Sequence, residues 1–164
     1  MPKKLSKDEL LNRYAAGERN FIESDLTGLD LSRVDLPGIN LTRSVLSRAD
    51  LTEANLSNSI LVSANLSSTI LNRANFTRAN LVRANLSRSL LNKAILQEAL
   101  LLQADLSGAI MIQANLYKTR LRQANLKNTN LRSANLEKAN LTHIQYNYET
   151  LFPEGFDAVK AAGI

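Results

Sequence analysis

A leucine recurs at every fifth residue from Leu26 to Leu141 without one insertion or deletion, and this period restricts the fold more than any other feature. Of the 24 positions in the series, 22 are Leu, and Phe76 and Met111 take the other two. The residue two before the Leu position is Ala in 14 units and Ser or Thr in seven. The residue directly before it is Asn or Asp in 16 units.

A five-residue period fits neither a helix nor a straight strand. On an α-helix, a step of five residues turns each Leu by about 140°, so the leucines would surround the axis. On a strand, positions five apart point to opposite faces. Both conflicts disappear if the chain is extended for a few residues and bends once per unit. The Ser, Thr, Asn and Gly residues that follow the leucines suit such corners. The chain therefore winds into a coil with Leu inside.

These units resemble the pentapeptide repeat family, whose consensus is A-(D/N)-L-x-x. The stretches RANFTRANLVRANLSRS and LRSANLEKANLTH carry the resemblance, which covers about residues 20–145. It implies an all-β solenoid, a right-handed quadrilateral parallel β-helix with four units per coil and about six coils. At roughly 4.8 Å between strands, the rod is about 30 Å long. A core of leucine implies that no ligand-sized cavity remains.

The sequence divides into a repeat region at residues 21–145, an N-terminal segment at 1–20 and a C-terminal cap at 146–164, all in one domain. Both ends of a stack of coils expose strand edges, which need covers. The flanking segments also resemble those of cyanobacterial members of the family. We therefore predict that both terminal segments cover the ends of the rod.

The N-terminal segment carries a helix signal over about residues 6–16. Ser6 and Glu9 form the pattern of a capping box, and Gly17 suits the end of the helix. We expect this short capping helix to lie over the first coil. The wider apolar end beneath it is filled by three residues that replace Ala: Leu29, Val34 and Ile39.

The C-terminal segment holds much of the aromatic content of the chain, and Pro153 and Gly155 indicate a turn. We predict a hydrophobic lid rather than an aromatic binding site. Its members are Ile144, Tyr146, Tyr148, Leu151, Phe152 and Phe156.

Motifs for catalysis are missing from the sequence. His143 is the single histidine, no cysteine is present, and no Gly-rich phosphate loop occurs. We therefore expect no enzyme activity, no cofactor and no metal site. The N-terminus lacks a signal peptide and no stretch reaches about 20 apolar residues, which predicts a cytoplasmic protein that does not span a membrane.

The charge of the repeat bears on two further functions. Residues 26–141 contain 14 Lys or Arg and seven Asp or Glu. Some family members resemble acidic B-form DNA and bind DNA gyrase in its place, but mimicry of that kind needs a negative surface. Weak nucleic-acid binding is the other alternative. The basic residues fall on several sides of the rod, and aromatic residues for base stacking are scarce outside the core, so specific binding is not expected.

Apolar residues occupy outward positions that the repeat does not require to be apolar. In seven units the Asn/Asp position carries Val45, Ile60, Ile70, Leu90, Ile95, Leu100 or Ile110. With 20 residues per coil, two groups form on opposite sides of the rod. We call them the valine patch, comprising Ile60, Val62, Val82, Leu100 and Leu102, and the isoleucine patch, comprising Ile70, Leu90, Ile110 and Ile112.

Three explanations fit these patches. They are the binding surface of an unidentified protein partner, the interface of a homodimer, or ladders of stacked side chains that only stabilise the rod. The sequence favours the first, so we predict a rigid, non-catalytic protein–protein interaction module.

Overall fold

The five-residue period becomes a coil of 20 residues. The computed structural model describes residues 2–163. Parallel β-bridges join residues 20 apart, from Asn20 with Asn40 through to Asn125 with Gln145. One bridge forms in every unit, at the residue before the Leu position. Four units therefore complete one turn of the solenoid, and each unit pairs only with units directly above and below.

Every unit ends in a corner with a left-handed backbone. The residue two after the Leu position has φ between 55° and 62° at all 21 non-glycine corners, and Gly28, Gly38 and Gly108 occupy equivalent corners. A non-glycine residue in this conformation costs roughly 1–2 kcal/mol. A turn hydrogen bond closes the corner, as in Ala49, whose N–H donates to the Leu46 carbonyl at 3.0 Å.

Backbone hydrogen bonds between coils stabilise these corners. Around Leu66, the Leu66 N–H donates to the Asn85 carbonyl at 2.7 Å and the Ser68 N–H donates to the Ser87 carbonyl at 2.9 Å. The Asn65 N–H donates in the other direction, to the Ser44 carbonyl at 2.9 Å. Three of the five N–H groups of this unit thus bond to neighbouring coils.

The core is a continuous stack of apolar side chains. Phe76 and Met111 are fully buried at Leu positions, which confirms their predicted inward direction. In six of the seven units where Ser or Thr replaces Ala, its hydroxyl donates to a backbone carbonyl inside the rod. Thr69 Oγ1 donates to the Leu46 carbonyl at 3.0 Å, for example. The small residues thus let the chain turn tightly without burying an unpaired hydroxyl.

The N-terminal segment contains strand β1 (Lys3–Lys4) and helix α1 (Lys7–Ala15). β1 pairs in parallel with strand β2 (Ser24–Asp25), a pairing that the sequence did not predict. α1 begins after Ser6, whose hydroxyl accepts the Glu9 N–H at 3.1 Å.

Helix α1 packs against the first coil. Leu10 is fully buried, and Tyr14 donates its hydroxyl hydrogen to the Pro37 carbonyl at 2.7 Å. Of the three residues expected beneath the helix, Val34 and Ile39 are buried and Leu29 is partly buried against the core.

The C-terminal segment changes the register of the coil. Asn130 bridges to Leu151, a separation of 21 residues instead of 20. The chain then ends in the short helix α2 (Ala158–Ala162). Tyr146, Phe152 and Phe156 pack against the core, with the Phe152 and Phe156 rings stacked at 5.3 Å. Tyr148 was wrongly included in the predicted lid, because its side chain is 92% exposed.

Candidate protein-binding faces

The Asn or Asp before each Leu position satisfies a backbone donor of its own unit. In Asn65, for example, Oδ1 accepts the N–H of Ser67, two residues further on, at 3.1 Å. The same bond forms in 15 of the 16 units that have Asn or Asp. The remaining unit has Asp35, and the residue two further on is Pro37, which lacks an N–H. The outward amide or carboxylate is therefore part of the fold.

The units with apolar residues at this position lose that acceptor. When Ile60 or Leu100 replaces Asn, no side-chain oxygen is available for the N–H two residues later. The Arg122 N–H, which follows Arg120, has no protein acceptor within residues 2–163 for the same reason. Of the seven N–H groups that follow an apolar residue in this way, six also have none: those of Ser47, Val62, Asn72, Gln97, Leu102 and Ile112. The Asn92 N–H is an exception, because Oδ1 of Asn72 in the preceding coil accepts it at 3.1 Å. Each apolar substitution thus removes a hydrogen bond that most units make.

The valine patch lies on one side of the rod, as the 20-residue coil predicts. Ile60 and Leu100 both bridge to Asn80, which places them in one column. Val62, Val82 and Leu102 form the adjoining column. The Ser63 N–H donates to the Val82 carbonyl at 2.9 Å, and the Arg83 N–H donates to the Leu102 carbonyl at 3.0 Å. Ile60 is 40% exposed, and the other four side chains are partly exposed.

The isoleucine patch is narrower. Ile70 bridges to Leu90, and Leu90 bridges to Ile110, so these three residues form one column. Ile112 stands beside it, in a column that is otherwise polar at Asn72 and Asn92. All four apolar side chains are partly exposed. A single column with one neighbour offers less apolar width than the valine patch.

Sequence reasoning left two exposed apolar residues out of the patches. Ile22 is 45% exposed and belongs to the column of Val62, with Thr42 between them. It precedes Leu26, where the regular period begins, so the period did not identify it. Ile95 is 38% exposed but lies on another side of the rod, in a column of asparagines. Neither residue extends a patch continuously.

Positive charge is concentrated in the middle and C-terminal coils. Residues 54–145 contain 11 Lys or Arg and three Asp or Glu, whereas acidic residues slightly outnumber basic ones in residues 1–53. Arg120 bridges to Leu100 and so continues a column of the valine patch. Arg122 continues the column of Leu102, because the Gln103 N–H donates to the Arg122 carbonyl at 3.0 Å. The valine patch therefore ends in two basic residues.

Most acidic side chains with shifted pKa values belong to ion pairs or turns. The Arg78 guanidinium hydrogen-bonds Glu98 at 2.9 Å and lowers the pKa of that carboxyl. Arg13 similarly lowers the pKa of Glu18. Both pairs lie on the surface of the rod with partly exposed carboxylates, so the lowered pKa values reflect surface ion pairing.

Concave regions of the surface are shallow. A polar depression of about 580 Å³ follows one corner of the rod and is lined mainly by amide side chains with Asp105 and His143. A second, of about 320 Å³, lies between Ala134–Glu137 and Pro153–Phe156. Within residues 2–163, no group of His, Asp and Glu converges as a metal site, and no helix is long and apolar enough to cross a membrane.

The sequence matches the family model for pentapeptide repeats in four overlapping ranges: 24–61, 59–97, 84–123 and 110–144. This match confirms the resemblance drawn from the repeat units. No curated protein is significantly similar to the chain.

Three solved structures illustrate the relationship. The pentapeptide repeat protein Rfr23 from the cyanobacterium Cyanothece 51142 is 26% identical, with a TM-score of 0.61, covering 87% of this chain and 96% of that one. This similarity implies a right-handed quadrilateral β-helix. HetL from Nostoc sp. strain PCC 7120, involved in heterocyst differentiation regulation, is 31% identical, with coverage of 87% and 77% and a TM-score of 0.33. Full-length QnrB1, a plasmid-mediated fluoroquinolone resistance protein, is 19% identical, with coverage of 89% and 90% and a TM-score of 0.26.

Proposed function

This chain belongs to the pentapeptide repeat family, and we propose that it acts as a rigid, non-catalytic rod that binds another protein through the valine patch. Proteins of this family are generally structural or interaction modules and not enzymes. In the proposal the rod has about six coils, both of its ends are covered, and the partner packs flat against one side.

The observation that supports the proposal is the hydrogen bond given up at Ile60 and Leu100. A hydrogen bond of this kind contributes about 0.5–1.5 kcal/mol. Apolar contacts along a ladder return only about 0.2–1 kcal/mol per pair. Stability of the rod alone therefore gives no clear reason to replace Asn here. A partner would bury the apolar side chains and could accept the open N–H groups of Val62 and Leu102.

Two alternatives receive less support. A DNA mimic that binds DNA gyrase needs a negative surface, but residues 54–145 carry a surplus of eight positive charges. Nucleic-acid binding would use that charge, yet the basic residues lie on several sides of the rod and a duplex would contact only some of them. A homodimer through the valine patch remains the main competitor.

The test replaces the patch with residues that this chain already uses in the same columns. Leu100→Asn with Leu102→Thr reproduces the pairs Asn40–Thr42 and Asn140–Thr142, which make the side-chain hydrogen bond at 3.1 Å. We expect the double variant to keep its stability and to lose its partner. Sedimentation of the free protein first separates monomer from homodimer. Affinity capture from the native cell then identifies candidate partners, and titration with the purified partner measures the loss.

The matched control carries Ile110→Asn with Ile112→Thr on the opposite side. It should bind the partner like the wild type, because the isoleucine patch is outside the proposed contact. If both double variants bind equally well and only melting temperature changes at the valine patch, the ladder explanation is correct. A wild-type dimer that the Leu100 variant dissociates identifies the patch as a homodimer interface instead.

A further inference from the structure

We infer that the valine patch ends in a carboxylate-binding site, formed by the side chains of Arg120 and Arg122 together with the Arg122 N–H. The site takes Asp or Glu side chains of the same protein partner that covers Leu100 and Leu102. The inference rests on the proposed function and specifies the chemistry of that partner.

The geometry brings three donors to one place. Arg120 and Arg122 are two residues apart, on either side of an inward Leu121, so both side chains leave the same side of the rod. Both are exposed, and neither forms an ion pair with an acidic residue within residues 2–163. A guanidinium presents a planar set of donors that matches a carboxylate. Two guanidiniums on one side of the rod can hold one carboxylate or two neighbouring ones.

The third donor exists because Arg120 stands where most units have Asn or Asp. Arg120 has no side-chain acceptor, so the Arg122 N–H has no protein partner within the described residues. Two other basic residues in the same part of the rod differ in this respect. The N–H of Lys127 bonds to Asn125 Oδ1 at 3.2 Å, and that of Arg132 bonds to Asn130 Oδ1 at 3.1 Å. Among the units that the structure describes, the one with Arg120 thus combines two basic side chains with a backbone N–H that has no protein acceptor.

The surroundings favour a protein carboxylate over a nucleic-acid phosphate. Leu100 and Leu102 stand one coil away, at about 4.8 Å, the spacing between neighbouring strands. A phosphate backbone would place charge against these leucines. Between residues 60 and 122, all of which the structure describes, this side of the rod carries no aromatic side chain that could stack on a base. A partner surface with apolar side chains next to Asp or Glu satisfies both parts of the face.

The carboxylate site is tested first with a small probe. Glutarate, a dicarboxylate, is titrated into the isotope-labelled protein while NMR follows the backbone amides, with sodium chloride at matched ionic strength as the blank. We expect the Arg122 amide to shift with a saturating curve and the Arg132 amide to remain at its blank position. The variant Arg120→Asn, which restores the side-chain acceptor, should abolish the Arg122 response. Equal shifts at Arg122 and Arg132 would show general charge screening and overturn the site.

The class of partner is tested with synthetic peptides that carry a Leu pair followed by a Glu pair. Matched peptides have Gln in place of Glu, or Ser in place of Leu. We expect Gln substitution to weaken binding about tenfold, and Arg120→Asn with Arg122→Thr to remove that preference. Loss of the Glu preference in the wild type contradicts the inference, whereas loss of the Leu preference contradicts the proposed function. Tighter binding of a 12-nucleotide single-stranded DNA than of the Leu–Glu peptide would assign the site to phosphate and overturn the inference.

Discussion

Asn80 Oδ1 accepts the Val82 N–H at 3.2 Å, which makes Val82 the one apolar residue of its patch column whose N–H is satisfied by its own unit. Above and below it, Ile60 and Leu100 leave the Val62 and Leu102 N–H groups open within the described residues. In the valine patch, a unit that makes the side-chain hydrogen bond therefore lies between two units that lack it. This alternation permits stability and binding to be measured separately.

Replacing Asn by an apolar residue, or an apolar residue by Asn, at the position before Leu should change stability in opposite directions. Asn80→Ile removes the hydrogen bond to Val82, so we expect the free energy of unfolding to fall by about 0.5–1.5 kcal/mol. Leu100→Asn creates the corresponding bond to Leu102 and should leave stability unchanged or raise it by less than about 1 kcal/mol. Urea denaturation at pH 7 measures both. A loss of more than about 2 kcal/mol in Leu100→Asn would mean that the apolar ladder stabilises the rod.

Because both lie at left-handed corners, Gly28 and Gly108 should lose the same amount of stability when each is replaced by Ala. A Cβ on Gly28 would meet nothing within 4 Å, and one on Gly108 would meet Arg88 Cγ at an ordinary 3.6 Å. Their φ angles, +67° and +66°, are nearly the same. Each Gly→Ala change should therefore cost about 1–2 kcal/mol through backbone strain alone. Thermal denaturation of both variants provides the comparison, and a cost confined to Gly108 would indicate a steric clash with Arg88.

Replacing the core phenylalanine tests how tightly the coil is packed. Phe76 is fully buried at a Leu position, so Phe76→Ala leaves a cavity and should reduce stability by about 3–5 kcal/mol. Phe76→Leu restores the usual residue of the repeat and should cost less than half as much. Calorimetry of the two variants measures both losses of stability. Similar losses of stability in the two variants would show that the neighbouring coils are shaped around the aromatic ring.

Asp30 predicts a loss of stability in acid. The Ser32 hydroxyl and the Ser32 N–H, at 2.6 and 2.9 Å, bond to its carboxylate and hold the pKa of Asp30 below the usual 3.8. A pKa lowered by folding stabilises the protein above the unfolded value of about 3.9. That contribution is lost as the pH falls through the folded pKa.

Two substitutions of Asp30 isolate this effect. Asp30→Asn keeps an acceptor for Ser32 but cannot titrate, so its urea midpoint should depend less on pH between pH 5 and pH 2 than that of the wild type. Asp30→Ala removes the acceptor and should be less stable at every pH. An Asn variant with the same acid profile as the wild type would exclude Asp30 as a source of the acid sensitivity.

The leucine period predicted the inward residues. Together with the four units per coil that the family resemblance implies, it also predicted the columns of the outer surface. Ile70, Leu90 and Ile110 stack as expected because 20-residue coils convert sequence spacing directly into neighbours. In most units with Asn or Asp, the side-chain oxygen accepts a backbone hydrogen bond of the same unit. The period could not reveal that the bond goes to the N–H two residues later, because that requires the direction of the backbone groups.

Features outside the period were harder to predict. β1 pairs with β2 through only two residues, and α2 has five, so neither has a sequence pattern long enough to recognise. Tyr148 was assigned to the lid because it is aromatic, but its position in a turn between Asn147 and Thr150 directs the side chain to solvent. The significance of Arg120 also depended on the structure, since an open N–H is visible only once all backbone partners are known.

The C-terminal segment gives the rod an end that differs from its coils. Repeated coils have no internal reason to stop, because an open end offers strand edges to which a second copy can pair. After the 21-residue step to Leu151, Thr150 stays buried, and Tyr146, Phe152 and Phe156 pack against the core. A second copy would therefore meet aromatic side chains here instead of a leucine coil in register. The cap thus opposes end-to-end growth of the rod into a fibre.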